Sequence, residues 1–527
     1  MQRAPVLWAS VLELRALLRR DLIQLGHLFG KPSTPRPPFH ARKRVLGGSK
    51  GRKYVKLAAK GYTRRSLLRL TFAGGASTVT GSCYYIEVNK FKILVECGMH
   101  QGSGSNDLNR AVFPFNPAEL DYIFVTHAHI DHSGLLPKAA KDGFKGRVIA
   151  THATRDLLEP MLYDSAAIQE SDAEWSTKKG LRLGKPPAQP LYTTMDVESV
   201  LPLFDVKPYD KVFHLGHGVK YRFLDAGHIL GSATLEIWFQ DSEREKVIVF
   251  SGDIGKKDNP IIRDPLSPEK ADYVVMESTY GNRSHKPLKE SINELVAAIK
   301  ATFKQGGNVY IPSFAVGRTQ DLLYILNSLV RDGRLYRIDV YLDSPLAEEV
   351  TKVYLAHPEC FDEEARRFFT TKQNESSVRL HFVRSVEDSM KLNRLRSGNI
   401  IIAGSGMCEG GRMRHHLKHN LWRSECSVIF VGYQAEGTLG RKIVDGAKSV
   451  SILGEEVLVR STIYTINGFS AHADREGLLG WLSAFNDSPK VFIVHGEDTS
   501  AAALGGLIRE KYGFATERPK DGDTVEL

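Results

Sequence analysis

Three histidines and one aspartate fall within six residues, in the run Thr126-His127-Ala128-His129-Ile130-Asp131-His132. Imidazole and carboxylate are donor types that suit a zinc ion. A single histidine is most often a satisfied or exposed residue. Four metal-capable side chains this close together, at the end of the apolar stretch Asp121–Thr126, are better explained as a ligand cluster. On a loop at a strand end, His127 and His129 can turn toward one ion while Asp131 and His132 face another. Two more polar sites follow apolar runs in the same way: Asp225-Ala226-Gly227-His228 and Ser251-Gly252-Asp253.

Such sites need strands to hold them. Leu67–Phe72, Cys83–Val88 and Lys92–Val95 read as strands separated by turns. Asp121–Thr126, Val219–Leu224 and Val247–Phe250 read as strands that each end in a polar site. From about residue 270 the pattern alternates strand with helix. Tyr273–Met276, Asn308–Ile311, Arg337–Tyr341, Ile400–Ala403 and Val428–Val431 are expected as parallel strands of an α/β domain, with Glu290–Lys304 and Thr319–Val330 as its helices. Ser461–Leu527 returns to strands around two further histidine-containing loops.

The His-x-His-x-Asp-His run resembles the signature of the metallo-β-lactamase superfamily. By that resemblance His228 joins His127 and His129 on one metal, and Asp253 bridges two. Glu277-Ser278-Thr279-Tyr280-Gly281, Gly468-Phe469-Ser470-Ala471-His472 and Val494-His495-Gly496-Glu497 look like the three further motifs of the β-CASP ribonucleases. That group includes cleavage-factor-like RNA nucleases and their bacterial and archaeal relatives. The resemblance covers residues 67–527. It implies an αββα metallo-β-lactamase sandwich with an inserted α/β β-CASP domain: residues 67–271 as its first part, 272–466 as the insertion and 467–527 as its C-terminal part. It also implies two Zn²⁺ per chain, with His495 completing the second site beside Asp131 and His132. His472, oriented by Glu277, would be the general acid, and Asp131 counts as a catalytic candidate as well as a ligand. A histidine at position 495 resembles the RNA-cutting branch rather than the DNA-repair branch. One departure stands out: where the family's first strand ends in Asp, this chain has Glu96, one methylene longer.

Two Gly-rich strand-to-helix turns, Pro312–Arg318 and Gly404–Arg412, offer backbone N–H groups at helix starts, which suit a phosphate. Ser313, Arg318, Ser405, Gly406 and Arg412 are therefore the substrate-binding candidates; tight packing turns with surface arginines are the alternative. His415 and His416 resemble family positions near the cleft, with no role assigned. The expected reaction is hydrolysis of single-stranded RNA to 5′-phosphate and 3′-hydroxyl ends, in endonuclease or 5′-exonuclease mode. Its rivals are a thioester or lactam hydrolase of the same superfamily, which needs neither Glu277 nor His472, and a silent RNA-binding scaffold, which would have lost ligands. Only 32 residues follow His495, so RNA preference is expected to come from the insertion.

The 527 residues are 42% hydrophobic and 25% charged, which fits a globular protein with a sizeable core. No apolar run approaches the roughly 20 residues that a bilayer span requires. Five cysteines point to a reducing compartment rather than a disulfide framework, hence to the cytoplasm; Cys83, Cys97 and Cys408 read as small buried residues. The net charge of +10 is unevenly placed. Residues 1–69 carry 17 Lys/Arg against Glu13 and Asp21, whereas the remainder has 54 bases and 59 acids. The extension 1–66 reads as an amphipathic helix over Val11–Arg20 and a solvated linker rich in Pro and Arg. Organelle targeting by residues 1–30, a dispensable extension and a tether to RNA or a membrane surface are all open for it, as is a homodimer for the whole. Because every motif lies later, a chain lacking residues 1–66 should still cut short RNA at near the full rate. It should bind long RNA more weakly at low salt, because it has lost cations that pair with phosphates. Parallel cleavage and binding assays check this, and a truncated protein that fails to fold or turn over contradicts it.

Overall fold

Burial alternates along Arg69–Gly74 and Cys83–Val88, so each strand offers one apolar face. They pair antiparallel, with Leu70 opposite Ile86. The computed structural model describes residues 68–102, 104–241, 244–370 and 378–527; the helix and linker expected within residues 1–66 lie outside them. The first sheet has seven strands in the order Thr524–Glu526, Arg69–Gly74, Cys83–Val88, Phe91–Val95, Tyr122–Phe124, Arg147–Ala150 and Phe204–Val206. The second, also of seven, runs Thr516–Glu517, Lys490–Val494, Tyr273–Glu277, Glu245–Phe250, Ala233–Gln240, Val219–Asp225 and Phe213–Gly216.

The two sheets share one core. Phe72, Ile86 and Phe124 from the first meet Tyr221, Leu235, Phe250 and Phe492 from the second. Ring centroids lie 4.9 Å apart for Phe124 and Tyr221 and 5.5 Å for Phe72 and Phe492. Helices cover both outer faces. His152–Leu181 contributes Leu157, Leu158 and Leu162 on one side, and Arg475–Leu482 and Asp498–Tyr512 contribute Leu478, Leu482, Leu504 and Ile508 on the other. This is the αββα sandwich.

A third sheet of six parallel strands forms the insertion: Arg379–Phe382, Asp339–Asp343, Asn399–Ala403, Val309–Pro312, Ser427–Phe430 and Thr462–Thr465. One expectation needs correction. Tyr273–Glu277, read from sequence as the insertion's first strand, instead pairs parallel with Glu245–Phe250 and Lys490–Val494 in the sandwich. A buried parallel strand is apolar on both faces in either sheet, so its pattern does not reveal which sheet it joins. The insertion therefore begins after Glu277 and is threaded between two hydrogen-bonded neighbours. All five cysteines are free and buried. Among the described residues no helix is long and apolar enough to cross a membrane.

His357 of the insertion is fastened to the sandwich. Its Nε2 lies 2.8 Å from Asp156 Oδ2, on the long helix His152–Leu181, and its Nδ1 lies 2.7 Å from Glu359 Oε1. Backbone bonds from Arg263 to Cys360 and from Asp362 to Ile261 run alongside. Burial opposes the charge on this imidazole, but the two carboxylates outweigh it and raise the pKa. A raised folded-state pKa stabilises below the unfolded value of about 6.5 and loses that effect as pH rises through the folded value. His357→Ala should therefore lower the melting temperature most at acidic pH, with the gap to wild type narrowing as pH rises. A gap that does not change with pH would show that the ion pairs contribute nothing.

Candidate metal and catalytic centre

Three parallel strands of the second sheet, Glu245–Phe250, Tyr273–Glu277 and Lys490–Val494, end side by side. Asp253 follows the first, Glu277 closes the second and His495 follows the third. The first sheet brings its own strand end, Tyr122–Phe124, and the histidine run to the same level. The run is pinned from beneath by backbone N–H groups: Ser82 donates to the Asp131 carbonyl (2.9 Å), Cys97 to His132 (2.8 Å) and Met99 to Ile130 (2.9 Å). Gly98 makes this approach possible, since a Cβ there would lie 1.8 Å from the Asp131 carbonyl oxygen.

The candidate ligands converge on Asp253. Its Oδ2 is 3.4 Å from both His127 Nε2 and His228 Nε2, and His129 Nδ1 lies 3.1 and 3.2 Å from the same two nitrogens. Its Oδ1 is 3.3 Å from both His132 Nε2 and His495 Nε2, and Asp131 completes that group. Donors bound at 2.0–2.1 Å in a tetrahedron stand roughly 3.3 Å from one another, so these spacings fit donors around an ion. Asp253 Oδ1 and His132 Nε2 are buried without a hydrogen-bond partner, an arrangement that is costly unless a cation joins them. Burial is the main cause that pulls His127 down to about 4 and His129 to about 3, and it holds His228 well below its ordinary value. These imidazoles are neutral at pH 7, which is the metal-binding form. Burial would raise Asp253, but the surrounding histidines outweigh it and keep the carboxyl well below its usual range.

Two residues that sequence reasoning missed, Thr126 and Ser82, reach the candidate ligands through their hydroxyls. Thr126 Oγ1 is 3.0 Å from His127 Nδ1, and Ser82 Oγ is 3.1 Å from His495 Nδ1. Nothing local marks Ser82, which is 413 positions from its partner. Glu96 accepts from the Thr126 N–H through Oε1 (3.1 Å), and its Oε2 stands 3.7 Å from His132 Nδ1. The longer side chain thus reaches the histidine loop and stops short of a direct hydrogen bond.

His472 arrives from a different segment. The chain beyond Asp253 pairs with the His472 loop, Ala473 N–H donating to Ile254 (2.7 Å), and His285 Nε2 lies 3.2 Å from the His472 carbonyl. Glu277 Oε1 accepts from Ile254 N–H at 2.6 Å and lies 3.3 Å from His472 Nδ1. Burial opposes a charge on His472, yet Glu277 and Asp253 outweigh it and lift the pKa to about 9. Its side chain keeps 21% exposure. With Nδ1 beside Glu277, Nε2 is the nitrogen left for chemistry.

In front of these groups lies a cavity of about 380 Å³ that reaches from His129, Asp131 and His472 to the insertion. Of the substrate-binding candidates, Arg318 and Gly406 line it. The other three are turned to internal use. Ser313 is buried and accepts from Thr319 Oγ1 (3.0 Å), Ser405 Oγ accepts from Gly410 N–H (3.1 Å), and Arg412 binds Asp343 and the carbonyls of Val383 and Arg384. A Gly-rich turn with a nearby arginine has the same sequence whether it faces phosphate or braces its own domain. His416 is likewise buried against Asp343 (2.7 Å), while His415 is exposed.

A sandwich with this cluster at its strand ends defines a metal-dependent hydrolase of the metallo-β-lactamase kind. The family description "Metallo-beta-lactamase superfamily" matches residues 77–312, "Beta-Casp domain" residues 319–443, and "Zn-dependent metallo-hydrolase RNA specificity domain" residues 456–519. Ribonuclease TTHA0252 of Thermus thermophilus is 38% identical over 84% of this chain and 96% of its own length. Transcription termination factor FttA is 30% identical in Methanosarcina mazei, over 87% of this chain and 72% of the relative, and 31% in Pyrococcus abyssi, over 87% and 71%. A crystal structure of a protein of unknown function from Enterococcus faecalis V583 shares the fold, with a TM-score of 0.52 at 14% identity over 88% of this chain and all of that one. The chain belongs to the β-CASP ribonuclease family of the metallo-β-lactamase superfamily.

The close approach at Gly98 yields a test of the metal site. Gly98→Ala should push the Asp131 backbone away and weaken metal binding by roughly 10–100-fold, the range seen when groups that orient ligands are lost. Competition with a chromogenic chelator measures this, and unchanged affinity would mean that the loop adjusts freely.

Proposed function

We propose that this chain is a zinc-dependent ribonuclease that holds two zinc ions and hydrolyses single-stranded RNA to 5′-phosphate and 3′-hydroxyl ends, in cytoplasmic RNA processing or decay. The observation that carries the reading is the pairing of Glu277 with His472 beside the Asp253 cluster. A lactam or thioester hydrolase has no use for this pair, and a silent scaffold has no reason to keep seven ligands. The relatives' names support RNA as the substrate.

His127, His129, His228 and Asp253 would hold one ion, and Asp131, His132, His495 and Asp253 the other. Bound there, the metals would acidify a water nucleophile and neutralise charge developing on the phosphate. Glu277 keeps Nδ1 of His472 engaged and favours its protonated form. Nε2 then donates a proton to the departing ribose 3′-oxygen, a poor leaving group as an alkoxide. Arg318, on the cavity wall, offers forked donors to a neighbouring phosphate.

His472→Ala should retain zinc and RNA binding and lose about 10²–10⁴-fold in cleavage rate, the usual worth of general acid catalysis. Glu277→Gln should lose less. An RNA with sulfur at the scissile 3′ position needs little protonation and should largely rescue His472→Ala. If that variant sheds zinc, or slows on both substrates equally, His472 is a ligand or structural residue instead. Asp253→Ala, which removes the shared carboxylate, should abolish most activity, and elemental analysis of the wild type should find two zinc ions per chain.

A further inference from the structure

Phe314 is a large apolar side chain that the fold leaves 44% exposed, and it stands on the wall of the active-site cavity. Its ring rests on the backbone of Gly406: a Cβ at that position would lie 2.8 Å from two ring carbons and 3.2 Å from a third. The two residues come from the two Gly-rich turns at the ends of adjacent parallel strands, Val309–Pro312 and Asn399–Ala403. The glycine therefore lets the ring pack closely on the backbone while much of the residue remains accessible. An exposed ring on a cavity wall offers a surface on which another planar group can stack.

Other residues along the same cavity have the same character. The Arg283 guanidinium sits 5.4 Å from the centroid of Tyr280 and 5.6 Å from that of Tyr433, and the Tyr280 ring is 6.0 Å from the ring of His472. A row of flat groups thus runs from His472 through Tyr280 and Arg283 to Tyr433. Aromatic planes interleaved with arginines are the surface that holds unpaired bases on a polyanionic backbone. A compact lactam or thioester has no matching planes.

We propose that Phe314, seated on Gly406, is a stacking platform for an unpaired base beside the scissile phosphate, with Arg283 and Tyr433 further along the same cavity, so that the enzyme selects single-stranded segments by shape rather than by sequence. This rests on the ribonuclease reading above. Every base offers a π-face, so stacking tolerates any sequence, whereas a duplex keeps its bases out of reach.

The test compares wild type, Phe314→Ala and Phe314→Trp on three substrates. These are a short single-stranded RNA with one cleavage site, the same RNA with an abasic ribose at either flanking nucleotide, and a dinucleotide of two abasic riboses, a small diester with no base or other flat ring. Losing one stacked base should reduce kcat/KM for RNA about 10–100-fold in Phe314→Ala, mostly through KM, and lower the preference for RNA over the small diester by the same factor. Phe314→Trp should retain the wild-type preference. At one flanking position the abasic RNA should slow the wild type by the same factor and slow Phe314→Ala no further, because both changes remove one contact. Full RNA activity in Phe314→Ala, an equal loss on RNA and small diester, or losses that multiply between variant and abasic RNA would each overturn the proposal. A wild type that cleaves the diester but no RNA would sink the ribonuclease reading itself, and the platform with it.

Discussion

The parallel ladder between Tyr273–Glu277 and Lys490–Val494 is the constraint on which the rest depends. It aligns Glu277 with Val494 and closes a chain excursion that contains the whole insertion. Because Glu245–Phe250 pairs with the other edge of Tyr273–Glu277, three strand ends finish at one level. Asp253, Glu277 and His495 then stand together without any local signal that they should. The same ladder closes the excursion, so the insertion leaves the strands that form the site and returns beside them.

Electrostatics then make the cluster a poor resting place for anything but a cation. One carboxylate with two oxygens has buried imidazoles on each side. Their nitrogens face the carboxylate at distances that suit coordination better than hydrogen bonding, and two of the atoms have no other partner. Removing such groups from water is costly without a compensating charge. Metal affinity and local folding are therefore linked, and the groups that brace the ligands, Thr126, Ser82 and Glu96, belong to that linkage.

The cavity joins two surfaces of different character. The sandwich contributes a polar floor of ligands and the Glu277–His472 pair. The insertion and the loops beside it contribute flat apolar groups and cations. Hydrolysis by water makes no demand on the ribose 2′-hydroxyl, so any preference for RNA or for unpaired strands has to come from this second surface.

The sequence by itself determined the family and where the candidate chemistry lies. His127, His129, Asp131 and His132 lie within six residues, so their spacing alone marks a candidate ligand cluster, and strands such as Cys83–Val88 show themselves through residues that fit a half-buried pleated surface. It also showed that two unlike folding patterns share the chain. Tertiary structure decided what depends on contacts between distant segments. It moved Tyr273–Glu277 from the insertion into the sandwich, because an apolar parallel strand carries no mark of its neighbours. It turned Ser313, Ser405 and Arg412 inward and left Arg318 in the cavity, because which way a turn faces depends on what packs behind it. It brought Ser82 to His495 and Phe314 to Gly406, pairs whose separation in the chain hides them from any local pattern. Periodicity and motif spacing report short-range geometry, whereas hydrogen-bond partners across sheets and between domains are selected by the packing of the whole core.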